Sequence, residues 1–171
     1  MQLFQSFRSQ AIAVILTGAS LAISAAASAQ VDTAVVFSHP VLTEGHITAG
    51  FGQRISPFTK QPAWHNGIDA YSGWGAPIYS PANGVVVFAG AKAGYGRMVD
   101  VELEDGRRLR FGQLKSVAVT LGDTITAGTE VGLMGSSGRS TGPHLHFEVI
   151  IDGKSYDPEN IEGLEIIATE N

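Results

Sequence analysis

Three of the five histidines in this chain fall into two short segments, His65-Asn66-Gly67-Ile68-Asp69 and His144-Leu145-His146. On an extended strand, residues i and i+2 face the same way about 6–7 Å apart, so His144 and His146 project side by side. Two imidazoles aimed into one space suit a metal ion or a proton relay. A histidine, a carboxylate and a further histidine would make a three-ligand nitrogen and oxygen site with a fourth position open to water, the pattern of catalytic zinc. Neighbouring residues favour a built site over scattered surface groups. Pro143 pre-sets the chain entering the strand, Gly138 and Gly142 permit close approach, and Phe147 and Val149 fall on the face opposite His144, His146 and Glu148.

Composition narrows the chemistry. The 171 residues include no cysteine, which excludes disulfides, thiolate-ligated metals, a thiol nucleophile and a lipidated cysteine. Core packing must hold the fold, and nitrogen or oxygen must carry any reaction. A net charge of −5 with dispersed Lys and Arg lacks the footprint of a nucleic-acid binder. No signal for an oligomeric state is legible.

Elements able to position these residues begin after a leader. Arg8, the uncharged small and apolar stretch 11–26, and Ala27-Ser28-Ala29 before Gln30 have the layout of a cleaved secretory signal over 1–29. Thr17, Gly18, Ser20 and Ser24 dilute the stretch too much for a membrane anchor, which needs about 20 strongly apolar residues. The expected location is therefore periplasmic or extracellular.

Beyond it, an N-terminal segment covers 30–44, the main domain 45–158 and a C-terminal tail 159–171. Strands are expected at 31–37, 45–51, 68–71, 77–79, 84–89, 98–103, 107–114, 117–120, 130–134 and 144–151, mostly β-branched and alternating. Asp105-Gly106 between two alternating runs is a strong hairpin signal. The segments 75–85 and 122–132 share a strand, turn and strand cadence. The fold class is all-β, mainly antiparallel, with a sandwich-like core. Glycine-rich loops at 72–75, 93–96 and 135–142 suit the walls of a groove, and none is followed by the Lys and helix of a phosphate-binding loop.

Four segments together carry a family resemblance: residues 45–54 (GHITAGFGQR), 65–69 (HNGID), 82–86 (ANGVV) and 135–148 (GSSGRSTGPHLHFE). They resemble, in order and spacing, the successive motifs of the M23 zinc metallopeptidases of the lysostaphin-like, LytM type. The resemblance runs from about Gly45 to Pro158. It implies the LytM-type fold, one Zn²⁺ held by His65, Asp69 and His146, and a catalytic His144 beside the metal. The implied reaction is hydrolysis of peptide bonds in the peptide part of peptidoglycan.

One position departs from the pattern. Where family members resemble each other in a Tyr-x-His-Leu segment, this chain reads Phe111-Gly112-Gln113-Leu114, so Gln113 stands in place of a second catalytic histidine. A glutamine amide can donate to an oxyanion or hold a water, but it cannot exchange a proton near neutral pH. Loss of one acid–base group costs about 10²–10⁴ in rate. Two expectations follow: an active, attenuated enzyme, or a zinc-holding module that binds cell wall or regulates another hydrolase. Trp64, Trp74 and Tyr95 read as packing aromatics or groove walls, Arg54 and Arg139 as carboxylate-orienting or solvated cations, and His39 and His46 as surface residues.

Overall fold

The computed structural model describes residues 35–169, and the expected signal segment 1–29 lies outside them. Regular structure consists of β1 (His46–Ala49), β2 (Gly52–Ile55), β3 (Pro62–His65), β4 (Ile68–Tyr71), β5 (Pro77–Tyr79), β6 (Gly84–Lys92) and β7 (Gly96–Glu102). It continues with β8 (Arg108–Leu114), β9 (Ser116–Val117), β10 (Thr124–Ile125), β11 (Glu130–Leu133), β12 (Leu145–Ile151), β13 (Lys154–Tyr156) and a 3-10 turn at Pro158–Asn160. The all-β, antiparallel class holds.

Alternation decides which face each strand buries. An eight-stranded sheet runs β1-β4-β12-β8-β7-β6-β10, with β13 on the far half of β12. Ile68 and Ala70, Leu145, Phe147 and Val149, Leu109 and Phe111, and Val99 and Val101 are all buried on its inner face. The rings of Phe111 and Phe147 pack 5.2 Å apart across paired strands. Burying side chains of this size contributes about 1.5–3 kcal/mol each. The alternate residues, Asp69, His146, Glu148, Arg110 and Asp100, necessarily share the opposite face.

A second sheet, β5-β11-β9, adds Ile78 and Val131 to the same buried core and makes the arrangement sandwich-like. The two segments of similar cadence meet here crosswise: β5 pairs β11, and β10 pairs β6. The Asp105-Gly106 turn closes β7 onto β8 as the sequence indicates, with Gly106 in the left-handed region.

Several boundaries differ from the sequence reading. Residues 45–51 do not form one strand. β1 stops at Ala49, and Gly52, at φ +105°, redirects the chain into β2, which pairs with β3 in a separate ribbon. β3 carries no alternating apolar signal in the sequence, its first three residues being exposed. The strand expected at 31–37 is irregular over the described residues 35–37, and that at 117–120 shrinks to β9. The flanking segments join the core instead of trailing from it: Leu42 bridges Ile167 in parallel, and Val41, Leu42 and Ile166 are buried.

Candidate metal centre

Strand register builds the site. Asp69 on β4 stands opposite His146 on β12, which stands opposite Gly112 on β8, in one row across the sheet. His65 arrives at the end of β3, one tight turn before β4. Gly67 makes that turn possible, because a Cβ there would lie 2.1 Å from the Phe147 carbonyl oxygen. Only glycine lets the His65-to-Asp69 turn lie this close to β12.

Three donor atoms converge. His65 Nε2 lies 3.1 Å from His146 Nδ1 and 3.2 Å from Asp69 Oδ1, and His146 Nδ1 lies 3.0 Å from Asp69 Oδ1. Ligands at 2.0–2.1 Å around a tetrahedral ion stand about 3.3 Å apart, close to these separations.

The remaining ring nitrogens fix the tautomers. His65 Nδ1 faces the Gly50 carbonyl at 2.8 Å, and His146 Nε2 faces Glu148 Oε1 at 2.9 Å. Both partners only accept, so both of those nitrogens carry hydrogen. In the neutral histidines this leaves two lone pairs and a carboxylate oxygen pointing at one another, which requires a positive charge between them.

The electrostatics agree. Burial alone would raise the Asp69 carboxyl, but its close contacts with the His146 and His65 rings and the Arg54 guanidinium hold it well below the usual carboxylate range. Burial would lower the His146 imidazole, yet Asp69 and Glu148 on either side together push it up. Without a metal, the cluster draws a proton. With one, it offers two imidazoles and a carboxylate.

His144 sits beside this cluster, just before β12, bridged to Gly135. Its Nδ1 donates to the Gly142 carbonyl at 2.8 Å, which leaves Nε2 as a lone pair 3.6 Å from Asp69 Oδ1. The i, i+2 reading thus holds for the pair, although only His146 lies within the strand.

Gln113 lines the same groove. β8 carries an extra residue relative to β7 here, since Arg97 pairs Leu114 while Val99 pairs Phe111. Gln113 takes up this bulge at φ +66°, a conformation non-glycine residues seldom adopt and one that re-aims a side chain. Its Nε2 donates to the Gly94 carbonyl at 3.2 Å, while its buried Oε1 has no partner among the described residues.

A groove of about 900 Å³ surrounds these residues. Trp64 and Phe58 stand exposed on its rim, and the Arg139 guanidinium lies 4.4 Å over the Phe58 ring. Trp74, by contrast, lies outside the groove lining. Arg54 orients a carboxylate, donating to Asp69 Oδ2 at 2.8 Å. His46 lines the groove against Tyr71, and His39 packs on Tyr79 away from it.

Sequence reasoning put Glu148 on the face of His146 without giving it a role, and missed Arg110 and Asp100 beside it, with Tyr95 over them. A charged residue alternating with apolar ones on a strand reads as solvent-facing, and Arg110, Asp100 and Glu148 all carry that pattern. The available signal was that one face of β12 already held two histidines.

The sequence profile of peptidase family M23 matches residues 63–158, from β3 through the start of the 3-10 turn. The chain is 34% identical over 125 residues to the DD-carboxypeptidase/endopeptidase Mpg of Neisseria meningitidis, covering 73% of this chain and 29% of that protein. It is 35% identical over 117 residues to the peptidoglycan DD-endopeptidase ShyA of Vibrio cholerae, covering 68% and 27%. Among solved structures it resembles a zinc-containing peptidase from Vibrio cholerae, with TM-score 0.65, 34% identity, and coverage of 71% of this chain and 39% of that one. The chain spans less than a third of the length of either of these two curated relatives. With the profile covering more than half of the chain and all the strands that carry the site, this protein belongs to peptidase family M23.

Proposed function

We propose that the chain is an exported zinc metalloendopeptidase that hydrolyses peptide bonds in the peptide part of peptidoglycan. The convergence of His65 Nε2, Asp69 Oδ1 and His146 Nδ1 within 3.0–3.2 Å carries this reading. Its relatives named for endopeptidase and peptidoglycan activity supply the substrate class. The signal-like segment 1–29 supports export, and no helix among the described residues is long and apolar enough to cross a membrane.

His65, Asp69 and His146 would hold one Zn²⁺, which supplies Lewis acidity toward the scissile carbonyl and lowers the pKa of water at the site. His144 Nε2 is the lone pair placed to take the proton of the attacking water and return it to the departing amine. Ser140 Oγ, 3.3 Å from His144 Nδ1, and the Gly142 carbonyl keep that nitrogen turned inward. Trp64 and Phe58 offer flat apolar surface to an extended peptide. Gln113 spends one amide hydrogen on Gly94 and keeps the other for a polarised carbonyl or a water.

The absence of a titratable group at Gln113 favours a second reading, a wall-binding or regulatory module with little turnover. Zinc-loaded native protein, Gln113→His and His144→Ala, compared on cross-linked peptidoglycan and short peptides, separate the two. Slow cleavage by the native chain, rising at least about tenfold in Gln113→His, is expected from an attenuated acid–base step. A native chain that cleaves nothing while Gln113→His cleaves defeats the enzyme reading.

A further inference from the structure

His146 can offer either ring nitrogen, and the geometry of the metal centre works only with Nδ1. What selects it lies one row deeper in the sheet. Glu148, Arg110 and Asp100 stand opposite one another on β12, β8 and β7, directly beside the row that holds Asp69 and His146. They share its face; Glu148 and Asp100 are buried and Arg110 is half-buried.

Glu148 is 1% exposed, so its charge must be met inside the protein. Oε1 accepts from His146 Nε2 at 2.9 Å and from the Tyr95 hydroxyl at 2.9 Å, while Oε2 accepts from Arg110 Nη1 at 3.2 Å. Arg110 is held in turn by two parallel bonds to Asp100, both 2.8 Å, and lies 4.8 Å over the Tyr95 ring. A guanidinium forked onto one carboxylate has little freedom to swing away from the other. Arg110, one of the donors on Glu148, is therefore itself fixed from the neighbouring strand β7.

We propose that Glu148 is a positioning residue: it holds a hydrogen on His146 Nε2 and so presents the Nδ1 lone pair to the metal, with Asp100, Arg110 and Tyr95 keeping its carboxylate in place. This rests on the reading of His65, Asp69 and His146 as metal ligands. An ionised carboxylate has no hydrogen to give, so a ring nitrogen against it must donate. Ligating histidines held by such a partner lose about 10–100-fold in metal affinity when it is removed. A buried ion network that served only the fold would change stability and leave the ring alone.

The experiment compares native protein, Glu148→Gln, Tyr95→Phe and Phe111→Leu, the last a core change on the opposite sheet face. Zinc affinity is measured by competition with a chelator, metal-free thermal stability is followed by circular dichroism, and the His146 ring by ¹⁵N-resolved NMR of the zinc-loaded protein. In native protein His146 is expected to show a slowly exchanging Nε2–H. Glu148→Gln is expected to lose about 10–100-fold in zinc affinity together with that signal. Tyr95→Phe should lose a few-fold, and Phe111→Leu should lose stability with zinc affinity kept. Native His146 protonated at Nδ1 overturns the proposal, and needs no variant to fold. Glu148→Gln binding zinc within twofold of native, or losing no more affinity than Phe111→Leu, also overturns it while the metal centre stands. Native protein that takes up no zinc, or His65→Ala that keeps it, overturns the metal centre and the proposal together.

Discussion

The two flanks of the groove are built to different standards. On the metal-facing side every donor has a second partner: His65 on the Gly50 carbonyl, Asp69 on Arg54, His146 on Glu148. On the proton-transfer side, His144 leans on a serine and a carbonyl within a glycine-rich loop, and Gln113 sits in a strained bulge with an unpartnered oxygen. On the proposed function, the contrast teaches that holding a metal and turning over a substrate are separately determined. The first is over-specified by the sheet, while the second hangs on loop residues and one departure from the family's pattern.

Breaking each flank in turn tests that division. His65→Ala or Asp69→Ala should abolish stoichiometric zinc, read by elemental analysis, and take any hydrolysis with it. His144→Ala should lower the rate by about 10²–10⁴ while zinc content stays native, and simultaneous loss of both would merge the flanks. Gly67→Ala probes the backbone beneath the metal side. A Cβ 2.1 Å from the Phe147 carbonyl must push the turn carrying His65 and Asp69 away from β12. A displacement near 1 Å costs about 10²-fold in rate, here accompanied by weaker zinc binding in the chelator competition.

Acidification should act more gradually. Asp69 is held low and stays ionised, whereas His146 is pushed up, so protons compete for its ring from above the ordinary imidazole range. Zinc affinity is therefore full above that raised value and falls as pH drops through it, by about tenfold per unit for each proton displaced. In the metal-free chain the sign reverses. A raised folded-state value stabilises the fold below the unfolded histidine pKa of about 6.5 and is lost as pH rises through the folded one. Thermal unfolding of loaded and metal-free protein across this range should show the two forms converging on acidification.

Legibility in the sequence tracks how local each decision is. Alternation in residues 145–151 put Phe147 and Val149 on one face and His146 and Glu148 on the other, and the structure keeps that division. Asp105-Gly106 closed a hairpin because its turn chemistry is contained in two residues. The β2–β3 ribbon escaped notice because Pro62–His65 is largely exposed and lacks an apolar period. The flanking segments were unreadable for another reason: Leu42 and Ile167 meet by a backbone bridge between stretches far apart in the sequence.

The sequence by itself determined the kind of chemistry. With no cysteine, donors had to be imidazole and carboxylate, and the His-to-Asp and His-x-His spacings put the right types on adjacent turns and strands. Tertiary structure decided which atom of each donor faces the centre and what stands behind it. Asp69 and His146 meet across 77 residues, and Glu148 reaches Arg110 across 38, through strand register alone. A ring nitrogen's role follows from the partner on its far side, and that partner is supplied by packing. The same is true of Gln113, whose identity is plain in the sequence but whose aim is set by a bulge that exists only once β7 and β8 have paired.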